Sequence, residues 1–146
     1  MIESWATSAL IFAGKAVFTI KNRRTGNHFT FKVMKPNRKL PRKGIWWVLT
    51  KTHDNSWLYM FSIFDDPGEK PYAKLTPASG IKDIDTHPAA IAIMWFLDKL
   101  NTNKIPDDLI LKFSNRCCRC GRELTDVVSI QRHVGPECVK YIGTER

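Results

Sequence analysis

At 146 residues, with 43% hydrophobic and 25% charged residues, the chain has the balance of one ordinary globular core, or of a core with a small appendage. The longest apolar run, Ala89 to Leu97, is well short of the roughly 20 residues a membrane helix needs, and Met1-Ile2-Glu3-Ser4-Trp5 lacks the basic start of a secretory signal; the expected compartment is the cytoplasm, without membrane contact. The formal net charge is +9 and uneven: residues 1–64 hold eleven Lys/Arg against Glu3 and Asp54 alone, whereas 65–113 carry −2 and 114–146 carry +2. Clustered positive charge is the footprint expected for a polyanionic partner, and a solvated basic face is the plainer alternative.

From Lys15 the residues alternate, with Ala16, Phe18 and Ile20 on one side and Val17, Thr19 and Lys21 on the other. Phe29, Phe31 and Val33 continue the period of two after Arg24-Thr25-Gly26-Asn27, which predicts a β-hairpin. Lys35 to Gly44 has two prolines and five basic residues and reads as a loop. Ile45 to Thr50 and Trp57 to Phe64 are two more strand-like runs around the turn signal His53-Asp54-Asn55-Ser56, and a fifth short strand fits Tyr72 to Leu75.

Thr86-His87-Pro88 then opens a different pattern: Thr86 as N-cap, Pro88 in the first turn, and Ala89 to Leu100 almost without polar residues. A helix apolar all round is a buried one. The expectation is therefore that Trp95 and Phe96 are core residues and that this helix packs the sheet. Asp107 to Phe113 reads as a short helix or strand leading into the tail. The resulting fold class is α+β: a small antiparallel sheet packed by one apolar helix, with a C-terminal zinc knuckle. Residues 1–113 form the basic domain and 114–146 the metal-binding module.

All four cysteines fall in that tail, in Cys117-Cys118-Arg119-Cys120-Gly121 and at Cys138. Two thiolates spaced Cys-x-x-Cys on a turn opened by glycine can hold one side of a tetrahedral zinc ion at about 2.3 Å, and Cys138 can supply a third sulfur. His133, five residues before Cys138, is the favoured fourth ligand, making the expected Zn2+ set Cys117, Cys120, His133 and Cys138. Cys118 as the fourth ligand, three cysteines closed by water or a carboxylate, and a tail with no metal at all are the alternatives. Thioredoxin-like chemistry would need the motif to open a helix after a parallel strand, and no such context precedes it.

The run from Arg116 through Cys117-Cys118-Arg119-Cys120-Gly121-Arg122-Glu123-Leu124-Thr125-Asp126, then Ser129-Ile130 and Gly135-Pro136-Glu137-Cys138, resembles a small zinc-binding domain of unknown function common in bacteriophage and mobile-element proteins. The resemblance is close over residues 115–140 and looser upstream, through Ala13-Gly14-Lys15-Ala16, Phe29-Thr30-Phe31 and the apolar helix. It maps Cys117, Cys120 and Cys138 onto the family's cysteines, and it implies a phage-type origin and a zinc fold but no activity.

The expected function is non-enzymatic: nucleic-acid binding through the basic N-terminal sheet, with Lys21, Arg23, Arg24, Lys35, Arg38, Lys39, Arg42 and Lys43 gripping phosphates. Arg116, Arg119, Arg122 and Arg132 are auxiliary contacts. Bases would stack on one or two exposed members of Trp46, Trp47, Trp57, Tyr59 and Phe61, while most of these aromatics fill the core. The competing expectation is a phage-encoded inhibitor that docks a host protein in the host cytoplasm, with exposed tryptophans as interface anchors. Neither a phosphate-binding glycine loop nor a Gly-x-Ser-x-Gly turn occurs, and His28, His53 and His87 are scattered singly as surface or turn residues.

Overall fold

The computed structural model describes residues 4–35, 45–64, 72–75, 79–102 and 104–142. A short helix α1 (Ser4–Ile11) leads into β1 (Lys15–Asn22), β2 (His28–Met34), β3 (Ile45–Lys51), β4 (Trp57–Phe64) and β5 (Tyr72–Leu75). The helix α2 (Pro88–Asn101), β6 (Leu109–Phe113) and a short helix α3 (Val127–Arg132) follow. The strands make one antiparallel sheet in the order β5-β4-β3-β2-β1-β6. The first five are a meander; β6 closes the other edge by returning from α2 to lie beside β1.

Period-two alternation positions the core. Ala16, Phe18, Ile20, Phe31, Val33, Trp46, Val48, Phe61, Ile63 and Phe113 are buried on one face of the sheet. Phe18 is at its centre, with ring centroids of Phe31, Phe113 and Phe96 all within about 6 Å. A register shift beside Val48 and Leu49 allows Met60 and Phe61, adjacent in β4, both to be buried. The adjacent tryptophans split as the alternation demands: Trp46 is buried and donates its indole N–H to the Phe12 carbonyl at 3.2 Å, whereas Trp47 is 38% exposed.

Three expectations about the helices need correction. The core receives side chains from α1 as well as α2, through Leu10 and Ile11, with Phe12 just beyond the helix end meeting Trp46 edge-on at 5.1 Å. And α2 is not buried all round. Ala89, Ala90, Ile93, Phe96, Leu97 and Leu100 are buried, but Ile91, Met94 and Trp95 are 56%, 38% and 42% exposed. Phe96 is a core residue; Trp95 is not. The N-cap of α2 is His87 rather than Thr86: its Nδ1 accepts from the Ala89 N–H at 3.1 Å, while Thr86 ends a preceding 3-10 turn, Ile84–Thr86.

The tail is docked on the sheet instead of hanging from it. Lys15 N–H donates to the Cys118 carbonyl at 2.7 Å and Ser114 N–H to the Val17 carbonyl at 2.9 Å. Gly14, at φ +137°, lets the chain pass so close that a Cβ there would lie 3.1 Å from the Arg119 carbonyl oxygen. Cys117, Cys118, Leu124, Val134 and Cys138 belong to the same buried cluster as the sheet residues.

Candidate metal centre and the open face of the sheet

The cysteine turn is built by local hydrogen bonds. Gly121 N–H donates to the Cys117 carbonyl and Cys117 N–H to the Arg122 carbonyl, both at 2.9 Å, and Gly121 takes φ +80° to close the turn. A second turn at Gly135 aims Cys138 back, with the Cys138 and Val139 N–H groups donating to the Gly135 carbonyl. The result brings the sulfurs of Cys117, Cys120 and Cys138 within 4.8 Å of one another, close enough to hold a metal ion. Tetrahedral coordination at bonds of about 2.3 Å needs sulfurs about 3.8 Å apart, a small inward adjustment.

The surroundings favour the thiolate at Cys117 and oppose it at Cys138. Burial pushes the Cys117 thiol up, but N–H groups of Cys120, Gly135 and Arg119 outweigh it and bring it down to about 7. Gly135 N–H lies 3.5 Å from its sulfur. For Cys138 burial dominates and raises the pKa, although Arg119 Nη1, 3.6 Å away, opposes it. The Arg119 guanidinium also stacks over Tyr141 at 4.3 Å.

His133, expected as a ligand, is not in the three-sulfur group. It ends α3 in the left-handed conformation, φ 67°, its carbonyl accepts the Cys118 N–H at 2.9 Å, and its ring lies against Phe113 with centroids 4.6 Å apart. Burial holds its pKa below the usual imidazole value. Cys118 also stays outside the group; buried beside Cys117, its thiol is pushed up to about 12 by burial, then by the neighbouring sulfur. Among the described residues the donor set is therefore three sulfurs.

The expected phosphate-gripping residues fare unevenly. Lys21, Arg23 and Arg24 are exposed at the β1–β2 turn. There Asn22 Oδ1 accepts from the Arg24 and Thr25 N–H groups, and Arg24 is ion-paired to Asp108 at 3.1 Å. Lys35 extends its ammonium to 5.4 Å from the Trp46 ring centroid. Arg38, Lys39, Arg42 and Lys43 lie outside the described residues.

The sheet face opposite the core, where a basic surface with one or two exposed aromatics was expected, also carries lysines that sequence reasoning did not single out, Lys15, Lys32, Lys51 and Lys112. The strand register places Lys15, Lys21, Lys32, Lys51 and Lys112 there, with Trp47, Trp57 and Tyr59. None of the six strands contains Asp or Glu. Lys32 and Lys51 each place an ammonium 5.8 Å from the Trp57 ring centroid, and Trp47 meets Tyr59 edge-on at 6.3 Å. The available signal was the same alternation that identified the core, read for its other half.

Residues 112–143, about a fifth of the chain, match the model of a family of unknown function, DUF6011. No curated protein and no solved structure matches the chain. The segment matched begins in β6, which pairs with β1, and runs through all three sulfur donors.

Proposed function

We propose that this chain is a metal-stapled, non-enzymatic module that binds nucleic acid through the open face of its sheet. The observation that carries this reading is a face that bears Lys15, Lys21, Lys32, Lys51 and Lys112 together with Trp47, Trp57 and Tyr59, on strands free of carboxylates. Lysines neutralise phosphates and release counterions, and rings stack bases without regard to sequence. The staple is read as structural zinc, because three thiolates on two tight turns suit a small, thiophilic, tetrahedral ion. A gel shift with single-stranded DNA and RNA, titrated with salt, tests the reading. Binding that weakens steeply with salt and is lost in a Lys21→Glu, Lys51→Glu, Lys112→Glu variant is the expected result, whereas no shift by the wild-type protein at low salt overturns it.

One observation favours the second reading, a phage-type inhibitor that docks a host protein. Ile91, Met94 and Trp95 form an exposed apolar stripe on α2, at the i, i+3, i+4 spacing of one helix face. Tryptophan in such a stripe is a frequent interface anchor. Capture of one host protein by the wild type after nuclease treatment, lost with Trp95→Asp, would separate it from the first reading.

A further inference from the structure

The open face is not uniform. Where β1 starts and the cysteine turn meets the sheet, there is a cleft of about 530 Å³. Its sheet side is formed by Lys15, Lys32, Lys51 and Trp57, and its opposite side by Arg116, Cys120 and Gly121. Arg116 Nη1 donates to the Gly121 carbonyl at 3.1 Å, which holds the guanidinium at the rim with other donors to spare. Ser114 also lines the cleft, and its hydroxyl oxygen is buried with no hydrogen-bond partner among the described residues. Four cations line one concavity, with no carboxylate among the described lining residues. An anion placed there can answer several of these charges at once.

We propose that this cleft takes one phosphorylated nucleotide unit, its phosphate among the four cations and its base against the Trp57 ring. The volume fits a small ligand of that size rather than a length of strand. Phosphate is the anion that suits several converging ammonium and guanidinium groups, and the ring supplies the stacking surface that a bare phosphate would not need. The cysteine turn then acts as one wall of a ligand site as well as a staple. This inference rests on the nucleic-acid reading and narrows it to a locus. Its source is either an unpaired strand or a free nucleotide.

Fluorescence anisotropy with a labelled oligo-dT and calorimetry with thymidine 5′-monophosphate, both at low salt, test the proposal. Lys32→Glu with Lys51→Glu alters the cleft, Lys21→Glu with Lys112→Glu alters the same face outside it, and Trp57→Leu removes the ring. Expected is a much greater loss for the cleft pair than for the outer pair, and a loss of about 5- to 150-fold for Trp57→Leu. Far tighter binding of the oligonucleotide assigns the site to a strand, and comparable binding assigns it to a free nucleotide; both support the cleft. Equal losses for the two lysine pairs, with Trp57→Leu unchanged, overturn the cleft while leaving strand binding by the face intact. Binding of the mononucleotide without the oligonucleotide keeps the cleft and sinks the broader reading; binding of neither sinks both. Amide and indole shifts of the wild-type protein on adding the mononucleotide provide a reading independent of variant folding. They must centre on Trp57 and Gly121, and shifts confined elsewhere overturn the proposal.

Discussion

Adjacent residues in this chain do opposite work, and the cysteines show it best. Cys117 has N–H groups converging on its sulfur and a pKa brought down to about 7, while Cys118 is buried with its thiol at about 12. Cys117→Ser, Cys120→Ser or Cys138→Ser is therefore expected to take bound zinc from one per chain towards none by elemental analysis, and Cys118→Ala to leave it unchanged. His133 gives a second prediction at this scale. Burial lowers its folded pKa, so the unfolded chain takes up a proton near pH 6.5 that the folded ring resists. The stability gained by burying the neutral ring is present above about pH 6.5 and is lost as the pH falls through the lower folded value. At saturating zinc, urea midpoints of wild type and His133→Asn should differ in slope only in that acidic window, since the thiols titrate in both. Metal content at neutral pH should be the same in the two proteins.

At the scale of the element, most of the sheet was legible because alternation is a local property. The hairpin of β1 and β2, the turn at His53 to Ser56, the strands β3 and β4, and the short β5 all appear where the period of two and the turn residues place them. Helix α2 was legible in extent but not in its exposed side, since a stripe of Ile91, Met94 and Trp95 is indistinguishable in composition from a buried one. The chain tells them apart by what lies opposite. Phe96→Ala is expected to cost about 3–5 kcal/mol in denaturant unfolding, because its ring is fully buried against Phe18. Trp95→Ser should stay within about 0.5 kcal/mol. Helix α1 was not foreseen: eight residues with no clear apolar stripe carry too weak a local signal, and tertiary contacts of Leu10 and Ile11 hold it.

At the scale of the whole molecule, the tail and the sheet share one buried cluster, so the metal is expected to stabilise both. Chelation should lower the melting temperature in one transition seen alike by circular dichroism and tryptophan fluorescence, rather than melt the tail alone. The open face predicts a salt slope as well. If Lys15, Lys21, Lys32, Lys51 and Lys112 each neutralise a phosphate, log K for single strands should fall with log salt at about −3 to −4. By itself the sequence determined what neighbouring residues decide among themselves: strand periods, turn residues, the Cys-x-x-Cys spacing and the excess of charge in residues 1–64. Only the tertiary structure decided that Leu109–Phe113 is the edge strand beside β1, that His133 stacks on Phe113 outside the sulfur group, and that distant lysines meet Arg116 around one cleft. These depend on contacts between residues tens of positions apart, which the local pattern constrains only as far as it names a face, not what the face will meet.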